Sequence, residues 1–357
     1  MSSNHPYRGL PDYQFWRKEP GIGDPAAFDP VVSTSFIVAP TDAVVTAGSC
    51  FAQHVAWFLA DNGFNFLVTE TLDQTIDPSV ARTFNYGLFP ARYGNVYTAR
   101  QLRQLLERAY GMFTPLAAAW KSDEGTVVDP FRPQIQPSGF LCAAELDHDR
   151  TIHFAAVRRA FEEMDVFVFT LGLTEAWLDS RDGAVYPLAP GFAGGEYDPA
   201  VHGFHNFTVE ETRVDLQWSI NFIRARNPDV RIVITVSPVP LNATALDRHV
   251  FTSTAYSKAV LRIAAEQVCT ANSDCDYFPS YEIITSPFAR GAYYAEDCRE
   301  VRPEGVRHVM SLFLKHYAKV DQPLAKPTAG TARAAQKAKS VEGLLQTLCD
   351  EEAITNE

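Results

Sequence analysis

Four short apolar runs, each leading toward a stretch of helical periodicity, limit what this chain of 357 residues can fold into. They are Asp42-Ala43-Val44-Val45-Thr46, Asp165-Val166-Phe167-Val168-Phe169-Thr170-Leu171, Val230-Arg231-Ile232-Val233-Ile234-Thr235-Val236 and Asp276-Tyr277-Phe278-Pro279. The runs are β-branched or aromatic, and continuous rather than alternating. A strand that is apolar at nearly every position is covered on both faces, which is the condition of a parallel sheet with helices above and below. The helices have their own signals. Phe51 to Asn62 places Val55, Phe58 and Leu59 at helical spacing and stops at Gly63; Thr98 to Tyr110 reads as a second helix. Thr208-Val209-Glu210-Glu211 is a capping box opening a helix to about Arg226, Thr252 or Ser253 can cap another reaching about Val268, and a last helix starts near Pro303. The spacing predicts an α/β protein with parallel strands near 43–47, 165–171, 230–236 and 276–280.

A hydrophobic content of 46% is enough for a large core, so one large domain with insertions is the simplest organisation. The formal net charge of −12 argues against a nucleic-acid binder or a protein of anionic membrane surfaces, both of which need a basic footprint. Met1 to Pro11 lack the apolar stretch and cleavage site of a signal peptide, and no apolar run approaches a membrane span, so a cytoplasmic location is expected. The cysteines at 50, 142, 269, 275, 298 and 349 include no C-x-x-C pair. Free thiols are expected in a reducing compartment, with no disulfide framework, metal site or cofactor.

The strand ending at Thr46 runs into Thr46-Ala47-Gly48-Ser49-Cys50-Phe51-Ala52. Cys50 therefore falls at or next to a helix N-terminus, where unpaired N–H groups and the positive end of the helix dipole favour a thiolate or a bound oxyanion. In a doubly wound sheet the ligand lies beyond the carboxyl ends of the strands. Reading each strand to its end gathers Ser49 and Cys50, then Gly172-Leu173-Thr174-Glu175, then Ser237-Pro238-Val239-Pro240, then Ser280-Tyr281.

Gly48-Ser49-Cys50-Phe51-Ala52 resembles the signature of the GSCFA family, which looks like a branch of the SGNH (GDSL-type) hydrolases; the likeness runs from about Ser35 to about Tyr317. It implies a flavodoxin-like three-layer α/β/α core. It also implies an esterase or O-acyltransferase acting on an acyl group of a carbohydrate or similar polar substrate, with an acyl donor as a further partner. Gly48-Ser49-Cys50 lies over Gly-Asp-Ser, which puts Cys50 at the nucleophile position, with Ser49 as the alternative. Arg92-Tyr93-Gly94-Asn95 corresponds to the second block, where Gly94 or Asn95 would donate to an oxyanion. Gly172-Leu173-Thr174-Glu175 corresponds to the third, with Thr174 where the usual Asn stands. The fourth block departs. Family members carry Asp-x-x-His-Pro, whereas Tyr294 to Pro303 contains Asp297 and the proline, but Glu300 stands three after the aspartate. The base must then come from another loop on the same rim: His249 in Asp247-Arg248-His249, or His205 in Phe204-His205-Asn206-Phe207, oriented by Asp297 or Asp247. His308, inside the last helix, reads as a packing or surface residue. The other implied reading is a catalytically degenerate protein that binds a glycan or protein partner.

These readings divide the chain into an N-terminal arm over 1–34, a domain over 35–320 and a linker with a tail over 321–357. The stretch from about 70 to 150 reads as a lid-like insertion, rich in aromatics from Phe84 to Tyr97. Pro323, Pro327 and the Ala/Lys/Thr/Gly run to Ser340 read as the linker, with a short helix from about Val341.

Overall fold

The computed structural model describes residues 5–73 and 75–318; the expected linker and terminal helix lie outside the described residues. In chain order the elements are β1 (Val44–Gly48), α1 (Phe51–Asp61), α2 (Pro78–Thr83), α3 (Ala99–Ala109), β2 (Trp120–Lys121), β3 (Val127–Val128) and α4 (Ala143–Glu163). There follow β4 (Val166–Leu171), β5 (Glu175–Asp179), β6 (Val185–Tyr186), β7 (His202–Asn206), α5 (Val209–Arg224), β8 (Arg231–Val236), α6 (Val250–Ala271), β9 (Cys275–Phe278), α7 (Ser280–Thr285) and α8 (Pro303–Phe313).

The four apolar runs form one parallel sheet in the order β1-β4-β8-β9, with Gly48 opposite Thr170 and Thr170 opposite Thr235. Phe66 makes a parallel bridge with Val44 on the free side of β1. The chain therefore leaves β1 to one side, crosses through Phe66, and returns to add β4, β8 and β9 on the other. Strand alternation sorts the core into two layers. Val44, Val166, Val168 and Val233 pack with Phe51, Val55 and Leu59 of α1 and with Val309 and Phe313 of α8. Val45, Phe167, Phe169, Ile232 and Ile234 pack with α3, α4, α5 and α6. Each such side chain, fully covered, contributes about 1.5–3 kcal/mol over its exposed state.

Two boundaries differ from the expectation. α6 starts at Val250, because the His249 ring accepts the Phe251 N–H and caps the helix upstream of Thr252 and Ser253. The 70–150 stretch is not all cover: Leu102, Leu105 and Leu106 of α3 and Leu146 of α4 sit in the same core as Phe167. The rest of the stretch is tied down by buried charge. Arg92, 1% exposed, donates to the carbonyls of Phe84 and Ile135 and to Asp149, and pairs with Glu70. Arg132 bridges Asp129 and Asp149, and His153 Nδ1 meets Glu70 Oε2 at 2.7 Å. Burial alone would raise the Glu70 carboxyl; the His153 hydrogen bond, with Arg132 and the Arg92 N–H, brings it down to about 2. Burial pushes the His153 imidazole down to about 4.

The segment before β1 is tied to the last helical turns. Asp29 pairs with Lys315 and His316, and the Val38 N–H donates to the Tyr317 carbonyl. A small antiparallel sheet, β6-β5-β7, follows β4, and β2 and β3 form a hairpin; neither has a strong apolar run in the sequence. Among the described residues no helix is long and apolar enough to cross a membrane.

Candidate active site at the strand 1 turn

The order of strands reverses between β1 and β4, so the crevice beyond their carboxyl ends is the topological switch point, the usual ligand position in an open α/β sheet. Gly48 makes the approach possible. Its φ is +142°, and a Cβ there would overlap the Thr170 carbonyl oxygen and lie 2.7 Å from Thr170 Cβ. The chain can thus turn out of the sheet against β4, with the Ser49 N–H donating to Thr170 O at 3.1 Å. Cys50 then stands at the N-cap of α1, 5% exposed. The first-turn N–H groups and the helix dipole favour negative charge at this point.

A narrow cleft lies over this turn, with a free volume of about 10 Å³, about that of one water. Ser49, Cys50, Tyr97, Gly172, Leu173 and Ser237 line it together with Val239, Pro240 and Leu241. The rim expected from the strand ends is therefore assembled at β1, β4 and β8. The Asn95–Tyr97 segment spans it: the Val96 N–H donates to Gly48 O at 2.8 Å, and the Tyr97 carbonyl accepts from the N–H groups of Gly172 and Leu173. Gly172 is needed small, since a Cβ would sit 3.1 Å from both Ser49 Cβ and Tyr97 Cδ1.

The remaining sequence candidates are distributed as follows. Asn95 is buried, accepting from Nε2 of Gln53 in the first turn of α1 at 2.9 Å, while Gly94 beside it has φ +72°. Thr174 is buried with its hydroxyl donating to Asn206 Oδ1 at 2.6 Å, and Glu175 accepts from the Thr244 hydroxyl at 2.8 Å. His249 is exposed and caps α6. His205 lies on β7 with Nε2 at 2.9 Å from Glu211. Asp297 is exposed and caps its own turn, accepting from the Arg299 and Glu300 N–H groups. None of Gly94, Asn95, Thr174, Glu175, His205, His249 and Asp297 lines the cleft. His308 is buried against Tyr293, at 2.8 Å from its hydroxyl.

Two features of the site escaped the sequence reading. Lys258 of α6 is 2% exposed, and its Nζ donates to the Gly172 carbonyl at 2.6 Å; the neighbouring Ser257 hydroxyl accepts the Thr174 N–H. The signal was present, since Ser253, Ser257, Leu261, Ala264 and Val268 mark the buried face of that helix and Lys258 shares it. The second feature is a row of hydroxyls. Ser49 and Ser280, already gathered from the strand ends, are joined by Thr170 and Thr235, which the sequence did not single out; the four stand at or just past the carboxyl ends of the strands, and each has a buried side-chain oxygen without a hydrogen-bond partner among the described residues. Such groups call for water or ligand atoms. On α1 itself, His54 stands one turn after Cys50 between the rings of Phe51 and Trp57, and burial pushes its imidazole down to about 4. It is neutral at physiological pH.

Fold and site together define an α/β protein with a mainly parallel central sheet and a cleft over a strand-to-helix turn. The chain belongs to the GSCFA family, whose family model matches residues 43–313. Among solved structures it is similar to a Clostridium thermocellum family 3 carbohydrate esterase, at 11% identity over 78% of this chain and 96% of that chain, with a TM-score of 0.26. No curated protein matches the sequence.

Proposed function

We propose that this protein is an esterase or O-acyltransferase of SGNH type, with the flavodoxin-like three-layer arrangement of that class. It would move an acyl group on a carbohydrate or similar polar substrate through Cys50, with Ser49 as the alternative nucleophile. One observation carries the reading: the Ser49-Cys50 turn opens α1 and lines the switch-point cleft together with Tyr97, Gly172 and Ser237. In the first step the Cys50 sulfur attacks the acyl carbonyl carbon, the bond to the alcohol oxygen breaks, and the departing oxygen takes a proton. The product is a thioester. In the second step water or a sugar hydroxyl attacks the thioester carbonyl, gives up its proton, and the sulfur leaves as thiolate. The backbone N–H of Cys50, at the head of α1, would donate to the oxyanion formed in each step. A histidine base would require the loop that lines the cleft at Leu241 to bring His249 inward when substrate binds.

A second reading has its own support. No histidine and no carboxylate is among the residues lining the cleft, which suits a site that binds a glycan or protein partner without turnover. Hydrolysis of a nitrophenyl acetate separates the two. Turnover that disappears in Cys50→Ala supports the enzyme; a parent protein without turnover leaves the binding reading.

A further inference from the structure

A groove in the 70–150 stretch is unused by the cleft. It encloses about 550 Å³ between the β2–β3 hairpin, the 133–139 turn and the 191–194 loop, within the range of about 300–1,000 Å³ typical of small-molecule sites. Its lining is chemically one-sided. Asn85, Gln134, Gln136, Ser138 and the Ser122/Thr126 pair supply neutral hydrogen-bonding groups, Asp123 and Glu124 supply carboxylates, and no lysine, arginine or histidine is among the lining residues. The half-buried Gln134 amide and the Asp123 and Glu124 carboxylates make no hydrogen bond to other described residues. Phe192, also half-buried, adds one aromatic face.

The wall behind these groups is fixed before any ligand arrives. Asn85 Nδ2 holds the Gln134 and Ile135 carbonyls at 3.1 and 3.2 Å, and Arg92 holds the Ile135 carbonyl and the Gln136 side chain. The anchored Asn85 and Gln136 amides and the exposed carboxylates accept from neutral hydroxyls, and amide N–H groups donate to them, while two carboxylates with no cation among the lining residues repel phosphate, sulfate and uronate. An aromatic face beside them suits the C–H face of a sugar ring. The groove adjoins a second, smaller cavity on the side of the Asn95 segment. Pro133 and Gln134 line, on their other side, this smaller cavity bounded by Gly94 and Asn95, and Asn95 is bonded to Gln53 of α1.

We infer that this groove binds a neutral, polyhydroxylated chain, an uncharged oligosaccharide, as the binding surface for the substrate of the Cys50 site. The inference rests on the esterase reading only for that last role. The test is calorimetric titration of the full chain with xylotetraose, cellotetraose and maltotetraose, and with trigalacturonic acid as the anionic control, while nitrophenyl acetate turnover is measured separately. At least one neutral oligosaccharide is expected to bind and the anionic one is not. Gln134→Ala and Glu124→Ala are expected to weaken binding tenfold or more at unchanged melting temperature, and Cys50→Ala is expected to bind as the parent does. No neutral binding, binding that ignores both groove variants, or preference for the anionic chain overturns the inference. Binding without turnover keeps the groove and removes the esterase; turnover without binding does the reverse.

Discussion

Lys258 Nζ donates a 2.6 Å hydrogen bond to the carbonyl oxygen of Gly172, and both residues are buried. A helix side chain thus fixes the end of β4, and with it the glycine that packs on Ser49. Lys258→Met replaces a buried ammonium by an apolar chain of similar volume. Relief of desolvation offsets the lost bond, so stability in urea is expected to stay within about 1 kcal/mol of the parent. Turnover of the activated ester is expected to fall about tenfold, because the Gly172 turn loses its anchor. Lys258→Ala also leaves a cavity and should cost about 2–5 kcal/mol. Unchanged turnover in the Met variant would make Lys258 a packing residue only.

Gly48→Ala places a Cβ on the Thr170 carbonyl at a φ closed to other L-residues. We expect a loss of about 3 kcal/mol or more, read as a lower melting temperature or a failure to accumulate folded protein. Gly94 has φ +72° but open space around it, so Gly94→Ala should cost only about 1 kcal/mol of backbone strain.

Thiol labelling reports on Cys50 once its competitors are removed. Cys142 and Cys298 are exposed and will react first, whereas the neighbouring Cys275 sulfur, 3.6 Å away, and then burial push the Cys269 thiol up and keep it protonated. In a Cys142→Ser, Cys298→Ser, Cys349→Ser background, Cys50 is expected to alkylate with iodoacetamide well below pH 8. Cys50→Ala should remove both the label and ester turnover, while Ser49→Ala keeps a measurable fraction; the opposite ranking moves the nucleophile to Ser49.

Stability should fall with acid in two overlapping windows. The His153 imidazole lies below its ordinary value when folded, so the unfolded chain takes up the proton first, and stability present above pH 6.5 declines as pH falls toward 4. Glu70 is also held low, so its contribution is present above pH 4.5 and is lost as pH falls toward 2. His153→Asn keeps an N–H for Glu70 and removes the titration. Its urea stability is expected to be flatter between pH 6.5 and 4 than that of the parent, and an identical slope would place the acid sensitivity elsewhere.

The sequence by itself determined the strands, because four runs apolar at nearly every position have no soluble arrangement except a sheet covered on both faces. It also marked the helices with strong local signals: Thr98 with Gln101 and Thr208 with Glu211 are both capping boxes. It placed Ser49 and Cys50 at the turn, since Gly48 ends one local pattern and Phe51 begins the next. Tertiary structure alone decided which strand ends meet, and so put Tyr97 and Ser237 over Cys50, because strand order is set by crossovers rather than by any one segment. It gave His249 and His205 to a helix cap and a carboxylate, as a lone loop histidine carries no local code for its partner. It also buried Lys258 against Gly172. The two are 86 residues apart, and only packing of α6 over the sheet joins a charge to a carbonyl across that distance.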